Sequence, residues 1–188
     1  MVNKMSEDYN VERLERTVKL EEIRNKFITP VKTEHDCRKC RCHGNNWTCP
    51  PFEENQNDIW EKYENIKIIM EKYDFTKKFL EEETTSEELM EYAFDLIHGK
   101  KKEIEPELYR LEDELNGEFL TSGPCVNCSV CQRSLGKNCI IPEKRKYAME
   151  SLGADVVGIA REYFNLDLDW ICGNRKAKYL IMMVSVLY

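Results

Sequence analysis

Clustering of cysteines constrains this chain more than any other feature of its sequence. Of the nine cysteines, four fall in residues 37–49 and four in residues 125–139, while Cys172 stands alone. The odd count and modest density do not fit a small disulfide-built domain, and clustered cysteines in a reducing compartment bind metal more often than they pair. We therefore expect a cytoplasmic protein with two cysteine-rich metal-binding loops, over residues 37–51 and 122–142.

The second set has the spacing Cys125-x2-Cys128-x2-Cys131-x7-Cys139. Three thiolates at x2 spacing are typical of an iron–sulfur cluster, whereas zinc ribbons present separated pairs of cysteines. In the bacterial ferredoxin run a proline directly follows the fourth cysteine, but here Pro142 comes later, which leaves open whether Cys139 closes the same cluster. We expect an iron–sulfur cluster of the [4Fe-4S] type; zinc is the alternative, and buried or redox cysteines without metal are a third reading.

The first set has the spacing x2, x1 and x6, which matches neither a zinc finger nor a ferredoxin run. Its density still points to metal, and its members are Cys37, Cys40, Cys42 and Cys49. His35 and His43 are alternative zinc ligands, although a histidine near cysteines is more often a supporting or surface group. Trp47 either shields a cluster from water or anchors the core.

Charge is distributed unevenly along the chain. The formal net charge is −7, and acidic residues outnumber basic ones in residues 52–120. The two cysteine loops contain no acid but carry Arg38, Lys39, Arg41, Arg133 and Lys137. These cations are expected to lower the pKa of the thiols and to offset the charge of a thiolate-bound metal, unless the distribution is a chance fluctuation. An acidic chain argues against nucleic acid as a partner.

The predicted elements alternate between helices and short strands. Helices are predicted over residues 7–28, ended by Pro30, and over residues 142–152 and 156–164. A capping box at Thr85–Glu88 opens another helix that ends near Gly99, where Lys100–Lys102 would complement the helix dipole. A separate helix is predicted over residues 105–116. Strands are predicted at residues 66–70, 118–121 and 179–188, the last of them central.

This pattern predicts a single α+β domain over residues 1–188, with an N-terminal helix within residues 1–30. Its small mixed or antiparallel sheet is covered by helices, and a ferredoxin-like strand order is one arrangement. No apolar run approaches the roughly 18 residues of a membrane span. The N-terminal residues lack the apolar core of a secretory signal, so none is expected.

Two motifs resemble those of a known family. The first loop carries a pattern made by Cys37, Cys40, His43, Gly44, Trp47, Cys49, Pro50 and Pro51. The second carries one made by Cys125, Cys128, Cys131, Cys139, Pro142, Glu143, Met149, Glu150, Gly153, Asp155 and Val156. Together they resemble the predicted metal-binding proteins of domain of unknown function 2284. The chain departs from the pattern at His43 and Lys146 and has Cys42 in addition. The resemblance implies a prokaryotic cytosolic metalloprotein carrying iron–sulfur, without implying a substrate.

The fourth ligand of the first loop is left open by this family-like pattern, which supplies only Cys37, Cys40 and Cys49. Cys42 is local, but it can serve only if the turn at Gly44 folds the loop back. Cys172 is remote, and its alternative is an ordinary buried thiol. We prefer Cys42, because a local ligand loses less loop entropy.

Three functions are consistent with these observations. The favoured one is a cytosolic iron–sulfur protein that transfers electrons to a redox partner protein or assists it. The alternatives are a zinc-stabilised interaction module without redox activity and an enzyme whose cluster has an open iron site. The sequence contains no P-loop, no Gly-x-Gly-x-x-Gly and no His-Glu-x-x-His.

Overall fold

A four-stranded sheet organises the part of the chain that the computed structural model describes, residues 7–52, 56–173 and 175–188. Its strands are β1 (Tyr9–Lys19), β2 (Asn65–Phe75), β3 (Glu118–Leu120) and β4 (Tyr179–Leu187). Their order is β1-β2-β4-β3, and every neighbouring pair is antiparallel. The C-terminal apolar run is therefore an internal strand, as predicted.

Helices cover both faces of this sheet. They are α1 (Leu20–Phe27), α2 (Pro30–Cys37), α3 (Lys77–Glu81), α4 (Ser86–Leu115) and α5 (Val156–Phe164). Alternate residues of each internal strand enter different cores: Ile68 and Met183 pack with α1 and α5, whereas Ile69 and Val184 pack with α4. The α+β class with a helix-covered antiparallel sheet is confirmed. The long α4 lies between β2 and β3, so the element order differs from the β-α-β-β-α-β order of a ferredoxin-like unit.

The helix predicted over residues 7–28 is wrong in its first half, which forms β1. As the end strand of the sheet, β1 places Val11 against the α4 core, while Leu14 and Val18 pack on the opposite face. Apolar residues that fall on both faces of a strand can reproduce the three- and four-residue spacing of a helix. Pro30 is the first residue of α2 rather than only a terminator.

One continuous helix, α4, replaces the two helices predicted before β3. Its capping box is present, since Thr85 N donates to Glu88 Oε2 (2.9 Å) and Glu88 N donates to Thr85 Oγ1 (3.3 Å). The helix passes through Gly99 and Pro106 and ends at Asn116, whose φ of 50° is left-handed. Packing of its apolar face on the sheet outweighs the free-energy cost of a glycine and a proline inside a helix. From the sequence alone, these two residues predict a break between two helices.

The helix predicted over residues 142–152 is also wrong. Two short 3₁₀ turns, Pro142–Lys144 and Glu150–Leu152, flank a segment that runs beside the end of β3. There the Thr121 N–H donates to the Tyr147 carbonyl (2.8 Å), so this backbone is engaged outside any helix. The predictions of β2, β3, β4 and α5 are confirmed. In the described residues, no helix is both long and apolar enough to cross a membrane.

Backbone pairing brings the start of the first cysteine loop to the turn at residues 150–152. Thr29 N donates to Gly153 O and Asp155 N donates to Phe27 O, each at 2.7 Å. Gly153 has a φ of +91° and lies against Pro30, where a Cβ would meet the proline Cα at 3.3 Å. These contacts fix α2, which ends at Cys37, beside the segment that follows the second loop.

Candidate metal centre

The two cysteine loops, far apart in sequence, are joined by buried hydrogen bonds. The Asn46 side-chain amide donates to the Cys125 carbonyl (2.9 Å), and the Cys125 N–H donates to Thr48 Oγ1 (2.9 Å). Thr48 in turn donates from its N–H and its hydroxyl to Asn46 Oδ1 (3.1 and 3.0 Å). Thr48 is fully buried and Asn46 is 6% exposed. Residues 46–48 and Cys125 thus form a shared wall between the loops.

Arg133 of the second loop clamps the first loop. Its guanidinium donates to the carbonyls of Asn46 (3.0 Å), Cys49 (2.6 Å) and Pro51 (2.5 Å). It also lies 5.2 Å from the ring centroid of Trp47, whose indole N–H donates to the Lys137 carbonyl (3.1 Å). One planar cation therefore satisfies three carbonyls of a loop that has no regular secondary structure to bond them.

The second set of cysteines lines one small cavity of about 20 Å³. Trp47 forms part of the same wall, so it contributes to the cysteine site as well as to packing between the loops. Gly136 turns the chain with a left-handed φ of 65° between the third and fourth cysteines. The cysteines are Cys125, Cys128, Cys131 and Cys139, the four predicted from the spacing.

Three cysteines of the first set, Cys37, Cys40 and Cys49, line a second and larger cavity of about 610 Å³. Gly44 has a φ of +69° and its N–H donates to the Pro50 carbonyl (2.8 Å), so the loop folds back on itself. The first-set cavity extends from this loop to the segment around Glu150, which follows the second loop in the chain.

Cys42 lies beside the other first-set cysteines, although it does not line the cavity. Its backbone N–H donates to Cys40 Sγ at 3.5 Å. The negative charge of a Cys42 thiolate also raises the pKa of Cys49. Cys172 is exposed, its backbone pairs with Arg175, and it lines neither cavity. The folded-back turn thus meets the condition under which Cys42 can be the local ligand.

The two histidines considered as zinc ligands, His35 and His43, lie beside carboxylates. His43 lines the first-set cavity, but its Nε2 lies 3.2 Å from Glu34 Oε1. His35 is exposed, with Nδ1 3.4 Å from Asp36 Oδ1. In residues 7–52, 56–173 and 175–188, no group of three or more His, Cys, Asp or Glu side chains is gathered closely enough to hold a metal ion.

The expectation that cations lower the thiol pKa values is wrong. Burial raises the pKa of Cys49 to about 12 and that of Cys37 to about 11, and neighbouring thiolates and Glu150 add to both shifts. Burial also raises the pKa of Cys42 and of Cys125. Arg41 does lower the pKa of Cys42, but burial outweighs it, and the predicted cations have other partners as well. Arg38 and Lys39 pair with Glu34 and Asp36, Arg41 stacks on Phe94, and Arg133 binds carbonyls.

Two charged residues lie between the cavities, and only one had a sequence signal. Gly123 N donates to Glu150 Oε1 (2.8 Å), and burial raises the pKa of Glu150. Glu150 belongs to the second family-like motif. Lys101 is 6% exposed and donates to the Pro124 carbonyl (2.5 Å), and burial lowers its pKa. Sequence reasoning placed Lys101 at a helix end, whereas it lies within α4.

The mixed α+β fold and the two adjoining cavities lined by cysteines are those of a cysteine-rich protein with two candidate metal centres. The chain belongs to the family described as predicted metal-binding protein (DUF2284), whose model matches residues 21–187. This confirms the resemblance carried by the two motifs, and the matched segment contains both loops and all the cysteines. No curated protein and no solved structure matches the chain.

Proposed function

We propose that this chain is an iron–sulfur protein with one [4Fe-4S]-type cluster at each cysteine set, acting in electron transfer to a redox partner or in its service. The observation that supports this most is the pair of adjoining cavities, each lined by cysteines of a single set. Cys125, Cys128, Cys131 and Cys139 would hold one cluster. Cys37, Cys40 and Cys49, with Cys42 beside them, would hold the other.

The donor set fits a cluster better than a single ion. A structural zinc site gathers four ligands around one atom, at about 2.3 Å for sulfur. A cluster distributes its thiolates over several iron atoms, so they surround a volume instead of meeting at a point. Four cysteines around one cavity, three of them at x2 spacing, correspond to the second arrangement. Membership of a metal-binding family is consistent with either metal.

The shared wall supports a role in electron transfer. Such clusters supply one-electron transfer when bound, and a short connection between two of them suits relay. Here Cys125 of the second set is hydrogen-bonded through both its N–H and its carbonyl to residues of the first loop. Acidic residues predominate in residues 52–120, so a partner with a basic docking surface is expected, and its affinity should fall as salt rises.

A spectroscopic experiment on anaerobically purified protein tests this proposal. We expect brown protein with broad absorption near about 400 nm. The double variants C128S/C131S and C37S/C40S should each lose about half of the iron, because each removes one site. The matched control, Cys172→Ser, should retain all of it. Colourless protein with stoichiometric zinc would refute the iron–sulfur assignment and favour a zinc-stabilised interaction module.

The shape of the first-set cavity favours a second candidate, an enzyme with an open iron site. This cavity has about 610 Å³, against about 20 Å³ for the second-set cavity, and apolar residues such as Val156 and Trp170 extend its walls beyond the cysteines. If Cys42 is not a ligand, one iron is left for a small molecule. Cys42→Ser would then keep its full iron content and spectrum, and an added iron-binding anion such as cyanide would change the spectrum of this site.

A further inference from the structure

Lys101 is a buried lysine without the usual carboxylate partner. It is 6% exposed, and its ammonium group donates to the carbonyl of Pro124 at 2.5 Å. Its neighbours differ: Lys100 pairs with Glu103 at 2.7 Å and Lys146 with Glu112 at 2.5 Å. Among the described residues, no carboxylate forms an ion pair with Lys101. A buried ammonium group costs free energy unless negative charge compensates it.

The negative charge near Lys101 comes first from Glu150 and then from the cysteine sites. The groups whose charges favour its ammonium form are Glu150, then Cys125 of the second set and Cys49 of the first, with Glu105 on its own helix. Pro124, which accepts its hydrogen bond, lines the first-set cavity and directly precedes Cys125. Lys101 itself lines a small cavity beside Cys125. The ammonium group therefore lies where the two sites adjoin.

Compensation depends on whether the thiols are ionised. In the metal-free chain, burial raises the pKa of Cys125 and of Cys49, so these thiols add little negative charge and Glu150 is the main group that favours the ammonium form. Metals bind cysteine as thiolate, and four thiolates outweigh the +2 charge of a zinc ion or of a [4Fe-4S] core. Loading the sites therefore adds negative charge near Lys101 to that of Glu150.

We infer that Lys101 is the shared counter-cation of the two cysteine sites, a residue that stabilises their metal-loaded form through its charge. The inference rests on the proposed function only in that the thiolates bind metal, and it holds for iron–sulfur and for zinc alike. It makes Lys101 a supporting residue, not a ligand.

Chelator challenge of the metal-loaded protein tests this inference. Four variants are compared with the unaltered chain: Lys101→Met, Lys101→Gln, Lys101→Arg and Lys102→Met, the last an exposed neighbour on the same helix. Metal remaining after fixed times in EDTA is measured on the re-isolated protein. We expect Lys101→Met and Lys101→Gln to lose metal at least about 10-fold faster, as for other residues that support metal ligands. Lys101→Arg and Lys102→Met should stay within about 2-fold of the unaltered chain.

The glutamine and arginine variants separate charge from structure. Glutamine keeps a donor for the Pro124 carbonyl but has no charge, whereas arginine keeps the charge. Normal retention in Lys101→Gln, or equal losses in Lys101→Gln and Lys101→Arg, would overturn the inference even if Lys101→Met fails to fold.

Metal and sulfide analysis of the same samples keeps this result distinct from the proposed function. If the bound metal is zinc, the iron–sulfur assignment fails. The metal retained by each variant relative to the unaltered chain still tests whether Lys101 stabilises the loaded sites. If it is iron–sulfur, Lys101→Gln should also shift the cluster midpoint potentials to more negative values, and Lys102→Met should not.

Discussion

Replacing Arg133 by methionine should release the first cysteine loop from the second. The change removes the donors to three carbonyls and keeps a side chain of similar length. A hydrogen bond from a charged group contributes about 1.5–3 kcal/mol, and the two bonds from Nη1 are partly buried. The bond to Pro51 is exposed, and water can replace it. The two bonds from Nη1 share one nitrogen, and the Asn46 carbonyl also accepts from Cys49 N (3.1 Å), so their contributions do not add in full. We therefore expect the free energy of unfolding to fall by about 2–4 kcal/mol.

For a chain of 188 residues, this loss corresponds to a fall of about 4–16 °C in the thermal midpoint. Circular dichroism on the metal-loaded protein measures it, and the metal content of the same sample should fall because the wall between the sites loosens. Arg110→Met is the matched control, since Arg110 forms an exposed pair with Glu114 that contributes about 0–1 kcal/mol. If Arg133→Met unfolds at the same temperature as the control and keeps its metal, Arg133 does not hold the loops together.

Three further results are expected from the cysteine sites. Cys42→Ala should lose part of its metal while Cys172→Ala keeps all of it; the reverse pattern would make the remote cysteine the ligand. Removal of the metal should lower the thermal midpoint and reduce near-ultraviolet circular dichroism, because site formation and folding are coupled, and unchanged values would show that the fold does not depend on the metal. The raised thiol pKa values, about 12 for Cys49 and about 11 for Cys37 against an ordinary 9.0, stabilise the metal-free fold fully below about pH 9. That contribution disappears as the pH rises toward 11–12, so the midpoint of the metal-free chain should fall from about pH 9 upward, and it should fall less in Cys49→Ala.

Local sequence signals predicted the elements whose own residues show a simple pattern, either apolar throughout or opened by a clear cap residue. The internal strand β4 is apolar along its length, and α5 begins at the cap residue Asp155, so both were found. Strand β1 was missed because it packs on both faces at the end of the sheet. The continuity of α4 through Gly99 and Pro106 depends on packing against strands that are distant in sequence. No window of the helix itself contains that information.

The candidate site shows the same division. Cysteine spacing was enough to identify the two sets, and the structure places all four cysteines of the second set at one cavity and three of the first set at another. Spacing could not show that Arg133 and Asn46 join the loops, because those bonds connect segments more than 75 residues apart. The sequence also suggested that nearby cations would lower the thiol pKa values. In the folded chain, burial dominates and Arg38 pairs with Glu34. Lys101 gave no signal, since its position depends on the continuity of α4.

Counting iron and acid-labile sulfide per chain in anaerobically purified protein tests the central claim most directly. Two clusters of the [4Fe-4S] type predict about eight iron atoms and about eight sulfides per chain. About half of each would mean that only one cysteine set holds a cluster. Stoichiometric zinc with no sulfide would contradict the account, because the thiols that line the two cavities would then hold single ions.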